Sequence, residues 1–461
     1  MTLMSTWKKY LSNGDVMIRY IFIALIAILS GFTFFSGPAA FSAGGPKIQH
    51  QKEKAPVVKK NSPLPVDVSR LLVDSDAAYS KGQYKNAMES LRQILHQVAD
   101  KDVLWPRYKQ AVLARAGDTY LRGIPKNRYQ INMPAFVCGL KNRADDYFLL
   151  DVREKEEFNS NHIRGAINIP FREVGNHLAR LPKPETGKKV VIICQTQHRA
   201  NHVLAVLREL GFSNAYTLRN GYKSYLSYRE KLRAGTLKKS PCATDNSTGV
   251  DTTPIKKTVK TSPEPVVHDV VHGAADQALQ AGRYDLAVDL LKIALIKKGG
   301  KDSRWHQYDQ ALLEQAGSQY LRSVPDNRYR ISIDQFIKHF QKKDQRYFLV
   351  DVRSPVEFTR GHLTGSVNIP FRTLLQHLGQ LPKKDASTHI LLICGSQRRS
   401  IYNLVLLREL GYINSFMLRG GYDGYSKWLK KLPSLQGTSL PSLQGGPSPD
   451  GQESEEEDFG C

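Results

Sequence analysis

Two cysteines occupy the places in this chain where a side chain could do covalent chemistry. Cys194 closes the apolar run V-V-I-I-C that begins at Val190, and Cys394 closes the equivalent run two hundred residues later. Each is followed by a short polar loop, C-Q-T-Q-H-R (Cys194–Arg199) and C-G-S-Q-R-R (Cys394–Arg399), and then by a helical pattern. In an open parallel sheet, ligands bind beyond the carboxyl ends of the strands. A thiol in that position faces backbone N–H groups and the positive end of a helix dipole, which favour thiolate over thiol. The adjacent His198, Arg199 and Arg399 add to the effect. The same cradle would steady the negative outer sulfur of a persulfide. A strand-end cysteine is also a common small hydrophobe, but two copies, each with arginine at the fifth position after the cysteine, argue for chemistry.

Around these loops the chain repeats itself with a constant offset of 200 residues. D-Y-F-L-L-D-V-R around Asp151 returns as R-Y-F-L-V-D-V-R around Asp351, and G-A-I-N-I-P-F-R ending at Arg172 returns as G-S-V-N-I-P-F-R ending at Arg372. L-R-E-L-G recurs unchanged at 407–411, and Trp105, Tyr120 and Pro125 have partners in Trp305, Tyr320 and Pro325. A strict spacing without insertions marks a duplication. The repeats begin near residues 66 and 266.

The elements that must position the cysteines alternate strand and helix over 130–234 and 330–431. Tyr147–Val152, Ala166–Ile169, Val190–Cys194 and Ala215–Leu218 are strand candidates. Phe171–Leu181, His198–Leu210 and the stretch from Tyr222 are helical candidates. Short apolar runs buried on both faces, separated by helices, imply an α/β fold with a doubly wound parallel sheet. The preceding segments, 66–129 and 266–329, are helical. Tyr284, Ala287, Leu290, Leu291 and Ala294 fall on one helix face, Gly282 marks the turn before them, and another helix runs through Ala311, Leu312, Ala316, Tyr320 and Leu321. The G-x-Y-x-x-A and A-G-x-x-Y steps resemble tetratricopeptide helices over less than two full repeats per half. They are expected as small helical hairpins that pack on the domain that follows and offer a surface for a protein partner.

The order L-L-D-V-R, E-F, H-I-x-G-A-x-N-I-P, a strand ending in cysteine, then L-x-x-L-G-F and a glycine near Gly221 resembles the rhodanese family, over about 100 residues in each copy. The resemblance implies a doubly wound α/β domain whose cysteine accepts sulfane sulfur from thiosulfate or polysulfide and passes it to a thiol or cyanide-like acceptor, with no metal or organic cofactor. It makes Cys194 and Cys394 the nucleophiles. Gln197, His198 and Arg199 become the donor-binding loop of the first domain, and Ser396, Gln397, Arg398 and Arg399 that of the second. Related cell-cycle phosphatases separate cysteine and arginine by five residues; here four intervene, a ring sized for sulfur and not phosphate. The family often has glycine at the third position after the cysteine, where this chain has Gln197 and Gln397. A glutamine there is strained if φ is positive. The first loop also carries Ala200 where Ser400 gives the commoner R-S, so the second domain is expected to be the more active. Asp151, Arg153, Asp351 and Arg353 are expected to be ion pairs that hold loops, and His162 and His362 to fix a turn. A second reading of the whole chain is a weakly catalytic rhodanese and helical interaction module at a membrane.

The remaining features concern location. Tyr20–Phe35 is almost wholly apolar and follows Lys8, Lys9 and Arg19, the pattern of an export signal or N-terminal membrane anchor within residues 1–45. It places the domains outside the cytoplasmic membrane, exported or tethered. Residues 46–65 and 235–265 read as linkers, and 432–461 as an acidic tail without order. A formal charge of +23 suits anionic surfaces or anionic small substrates; no zinc-finger spacing or RNA-recognition signature points to nucleic acid. Five cysteines with no C-x-x-C spacing make no disulfide framework, and Cys138, with Lys338 at its repeat position, is assigned no role.

Overall fold

β-Branched and leucine-rich runs build one five-stranded parallel sheet in each half. The computed structural model describes residues 66–98, 102–237, 242, 270–298, 304–384, 387–396, 398–431 and 443–444. In the first half three helices, α1 (Val66–Ser80), α2 (Tyr84–Gln97) and α3 (Leu104–Gly123), precede the sheet. Its strands are β1 (Gln130–Ile131), β2 (Tyr147–Asp151), β3 (Ile167–Asn168), β4 (Lys189–Ile193) and β5 (Ala215–Leu218). They lie in the order β1-β5-β4-β2-β3, with helices α4 (Met133–Asn142), α5 (Lys155–Ser160), α6 (His198–Glu209) and α7 (Gly221–Arg233) between them. The central β4 has Val190 to Ile193 wholly buried, as a strand covered on both faces requires.

The second half repeats this plan. Helices α8 (Val270–Gln280), α9 (Tyr284–Lys298) and α10 (Arg304–Ser323) lead into β6 (Arg330–Ile331), and α11 (Ile333–Lys342) follows. Next come β7 (Arg346–Asp351), α12 (Pro355–Arg360), β8 (His362–Leu363) and β9 (Val367–Asn368). The half ends in β10 (Thr388–Ile393), α13 (Arg398–Glu409), β11 (Ser415–Leu418) and α14 (Gly421–Lys431). The second sheet has the order β6-β11-β10-β7-β9. The Phe171–Leu181 segment is a 3-10 stretch, Val174–Arg180, broken at His177. The two-residue strands β1 and β6 and the short α5 and α12 are too brief to leave a period in the sequence.

The helical segments depart most from expectation. Each contains three helices and not a hairpin, and each packs on the sheet domain of the opposite half. Tyr284 Oη donates to the Gly175 carbonyl at 2.7 Å, and Tyr84 Oη donates to that of Leu375. A Cβ on Gly282 would stand 2.8 Å from the Asn176 carbonyl oxygen, and one on Gly117 2.9 Å from Leu375. His202 on α6 meets Tyr320 on α10 at 2.7 Å. At the axis relating the halves Trp105 stacks on Trp305 and Tyr108 on Tyr308, and Tyr108 Oη donates to Asp309 at 2.7 Å. The predicted face of α9 is buried throughout, mainly against α8 and α10 of its own segment, with Tyr284 reaching the first domain. One apolar core therefore runs through both halves.

Two terminal features also differ from the sequence reading. Cys138 and Cys242 form a disulfide with Cα atoms 5.2 Å apart, tying the chain beyond α7 back to α4. A sequence separation of 104 hides this pair, because spacing carries no signal at that distance. Leu443–Gln444 of the tail forms a strand, β12, antiparallel to His362–Leu363. The apolar segment Tyr20–Phe35 lies outside the described residues; among the described residues no helix is long and apolar enough to cross a membrane. Closing a loop of this length with a disulfide is worth about 5 kcal/mol in the chain-entropy account. Unreduced peptide maps should recover 138 and 242 in one cross-linked peptide, and Cys138→Ser should lower the melting temperature by several degrees.

Where α6 and α13 pack side by side, the half-buried Glu209 and Glu409 have carboxylate oxygens out of reach of solvent. Burial, and then the neighbouring Glu409 carboxylate, raise Glu209 well above its usual range. Burial raises Glu409 to about 7, opposed in part by Lys109. The folded chain thus holds protons that the unfolded chain releases near its ordinary value of 4.5. Stability from this pair is complete below that value and is lost as pH rises through about 7. Calorimetry should show the melting temperature falling between pH 5 and 8. Glu409→Gln should flatten that fall and add about 2 kcal/mol at the alkaline end.

Candidate active site

Strand β4 delivers Cys194 to the end of the first sheet, and the next three residues turn the chain into α6. The Ala200 amide donates to Cys194 Sγ at 3.4 Å, so the loop closes around the sulfur. Gln197 takes φ +79°, the left-handed conformation in which glutamine is strained. Its side chain compensates: Nε2 donates to Thr217 Oγ1 at 3.1 Å, and Oε1 accepts from the Asn220 amide at 2.9 Å. Gln197 is thus a buried cross-link between the loop and β5–α7. Gln397 lies outside the described residues.

The glycine anticipated near the end of the motif has a steric reason. Gly221 has φ +67°, and a Cβ there would come within 2.3 Å of the Cys194 carbonyl oxygen; Gly421 approaches Cys394 in the same way at 2.1 Å. This closeness lets the Tyr222 amide donate to the Cys194 carbonyl and the Tyr422 amide to that of Cys394, each at 2.8 Å. Behind them Arg153 donates to the Asp151 carboxylate at 2.7 Å and to the Asn161 carbonyl at 2.8 Å, while its guanidinium lies 4.0 Å from the Tyr222 ring centre. Arg353, Asp351 and Tyr422 repeat the arrangement. These ion pairs hold loops, as expected. His162 and His362 stack on Phe158 and Phe358, and each ring bonds the carbonyl four residues back at the end of its short helix.

Arg199 turns to Glu157, with its two Nη atoms 2.5 and 2.7 Å from the carboxylate oxygens, and Arg399 grips Glu357 at 2.7 and 2.5 Å. These forks tie the cysteine loops to α5 and α12. The Arg199 hydrogen bonds pull the Glu157 carboxyl below its usual range. Burial alone would raise Glu357, yet the Arg399 bonds and charge, with the Ser354 amide and hydroxyl, hold it at about 2. The two glutamates were overlooked as site residues, although the recurrence of E-F at Glu157–Phe158 and Glu357–Phe358 carries the signal.

The strand-end position favours a thiolate at Cys194, but its surroundings in the structure act the other way. Burial dominates and raises the thiol above its ordinary value. The Ala200, Thr196 and Arg199 amides and the Arg199 charge oppose that rise without overcoming it. The cradle is present, but at rest it surrounds a shielded thiol, with Cys194 only 1% exposed. His198 is held neutral, lowered to about 4 by burial and then by the charges of Arg330, Arg328, Arg398 and Arg419. In the second loop Cys394 is fully buried, and the Ser396 and Ser400 hydroxyls are buried without a hydrogen-bond partner. Among the described residues no cluster of histidine, cysteine and carboxylate side chains could hold a metal ion.

The rhodanese-like domain model matches residues 139–228 and 332–427, one copy in each half. Thiosulfate sulfurtransferase PspE of Escherichia coli is 31% identical over 80 residues, which cover 17% of this chain and 75% of that protein. This chain belongs to the rhodanese-like family. Within the family it also resembles an uncharacterized protein, YqhL, of Bacillus subtilis, 36% identical over 77 residues, with 17% of this chain and 59% of that one covered. Thiosulfate sulfurtransferase GlpE of Pseudomonas savastanoi is 28% identical over 81 residues, covering 18% of this chain and 74% of that protein. Both rhodanese-like matches fall inside the stretches 130–234 and 330–431 read from the repeat.

The raised thiol has a kinetic consequence, because only the thiolate is nucleophilic. In a Cys394→Ser chain, alkylation of Cys194 followed by peptide mass should accelerate with pH and still be rising above about pH 9, later than an exposed cysteine.

Proposed function

We propose that this rhodanese-like chain is a sulfurtransferase that carries sulfane sulfur from thiosulfate or polysulfide to an acceptor thiol through persulfides on Cys394 and Cys194. The observation that carries the reading is the cysteine loop itself. A buried sulfur at the carboxyl end of the central strand is enclosed by four intervening residues, with backbone amides aimed at it. The names of the PspE and GlpE relatives support thiosulfate as donor.

In the first step the cysteine thiolate attacks the outer sulfur of thiosulfate. The new S–S bond forms as the sulfur–sulfur bond of the donor breaks, and sulfite leaves as a dianion. Three negative charges enter and three leave, now on persulfide and sulfite. The loop amides lie where the persulfide charge develops, the place at which fixed dipoles are most effective. An acceptor thiolate then attacks the outer persulfide sulfur and regenerates the cysteine thiolate. Arg399 and Arg199, by gripping Glu357 and Glu157, hold the loops in their small-ring shape; Arg398, Ser396, Gln397, His198 and Gln197 complete the proposed donor sites.

The second domain is proposed as the faster, since Ser396 and Ser400 keep hydroxyls available for an incoming anion whereas Ala200 has none. A weakly catalytic binding role suits the first domain if its buried thiol does not open. Location outside the cytoplasm is part of the proposal, supported by the Cys138–Cys242 disulfide, since such bonds persist in oxidising compartments. The apolar segment Tyr20–Phe35 would then be the signal or anchor.

Intact mass of the chain after residue 45, incubated with thiosulfate, tests the reading. A gain of about 32 mass units, lost with Cys394→Ser for one adduct and Cys194→Ser for the other, is the outcome nucleophilic sulfur transfer requires. No adduct from thiosulfate or polysulfide would leave the binding-module reading in its place.

A further inference from the structure

The first cysteine site spends its own cations. Arg199 is bound at both Nη atoms to Glu157, Arg153 is bound to Asp151 and covers Tyr222, and His198 is neutral. Arg172 is committed as well: its Nε donates to the Val324 carbonyl at 2.9 Å and its Nη2 to Asp326 at 2.7 Å. A dianionic donor reaching Cys194 therefore finds these four side chains neutral or already engaged.

Those Arg172 bonds, however, bring in the turn that leads from α10 to β6. The turn is built to aim its central residues. Arg328 and Tyr329 both take positive φ, 52° and 54°, a costly pair for residues with side chains. The Arg328 amide donates to the Pro325 carbonyl, the Asn327 side chain accepts from the Tyr329 amide, and Arg408 lies 3.4 Å from the Tyr329 ring centre. The Arg328 Nε is buried and has no hydrogen-bond partner. A third contact joins the two cysteine loops. Arg398 of the second donates to Asn220 at 3.2 Å, and the Asn220 amide donates to Gln197 of the first.

We propose that Arg328, delivered by the second half, together with Arg398 of the second cysteine loop, binds the anionic end of the sulfur donor at Cys194, so that the first site is completed in trans by the other half of the chain. This rests on the sulfurtransferase reading and adds the donor-recognising group to it. The electrostatics agree. Burial and then the Arg199 charge lower Arg328, while the Cys194 charge raises it. Arg330, lowered to about 10 by burial and then by Arg328 and Arg419, belongs to the same crowd. Cations that destabilise one another gain from an anion placed among them. Guanidinium forks suit the oxyanion face of thiosulfate.

The test uses the soluble chain with Cys394→Ser and follows covalent modification of Cys194 by thiosulfate, read as the persulfide, and separately by an uncharged organic trisulfide, read as the mixed disulfide formed as a hydropersulfide anion leaves. Arg328→Ala should slow loading at low thiosulfate by about tenfold to a hundredfold, the loss expected for one charge-assisted contact. The penalty should be at least tenfold smaller with the trisulfide, and Arg328→Lys should restore part of the thiosulfate rate. Equal losses with both donors, or no loss with either, would overturn the proposal. Calorimetric titration of the Cys194→Ser/Cys394→Ser chain with thiosulfate separates this from the sulfur chemistry. Arg328→Ala should remove one anion site even where no sulfur is transferred, and unchanged binding there would overturn the proposal whatever the enzymology shows.

Discussion

The reciprocal burial of the helical segments is the constraint from which the rest of the molecule follows. An amphipathic three-helix segment must cover its apolar stripe, and here each one does so on the domain of the other half. The tyrosine hydroxyls of Tyr84 and Tyr284, each bonded to a carbonyl of the opposite half, set the depth of that docking. Once it is set, α6 and α13 lie side by side, their glutamates are forced together, and the cysteine loops at their amino ends become neighbours. The nearness of the two cysteine loops and the pairing of the two glutamates are in this sense two results of one packing decision.

Within each domain the cysteine loop depends on a second, smaller constraint, the close approach of Gly221 or Gly421 to the carbonyl of the cysteine. Only a residue without Cβ permits it. The approach allows one backbone amide to hold the loop from outside, while the arginine–glutamate fork holds it from within. The cysteine is thereby both positioned and buried, and the burial explains why Cys194 is a raised thiol at rest despite its cradle. On the proposed sulfurtransferase reading, the charge that the loop would receive is that of the outer sulfur, which the thiol at rest does not carry.

Much of this was legible from residues alone. Central strands β4 and β10 announce themselves as unbroken apolar runs, the helix face of Tyr284, Ala287, Leu290, Leu291 and Ala294 is buried as its period implies, and the repeat locates both cysteines. The strained position foreseen at Gln197 is strained, at φ +79°. What sequence could not give is the partner of each buried face. Periodicity says that α9 has an apolar side but not that α8 and α10 cover most of it while Tyr284 at its start reaches into the opposite domain. The same limit hid the Cys138–Cys242 bond and the meeting of Arg172 with the turn at Val324 and Asp326 of the other half, since neither leaves a local pattern.

Contacts in which a residue of one half meets a residue of the other, and their repeat partners meet in return, have the form of an isologous dimer interface. In a dimer of identical chains any substitution is made twice, so both sites must change together. Here the two copies share one polypeptide, and the symmetry is free to break one residue at a time. It has done so around the cysteines: His198 faces the position of Arg398, Gln130 stands where Arg330 does, and Ala200 replaces the hydroxyl of Ser400. Fusion has turned a pair of equal sites into two that can be tuned for different roles within a single shared scaffold.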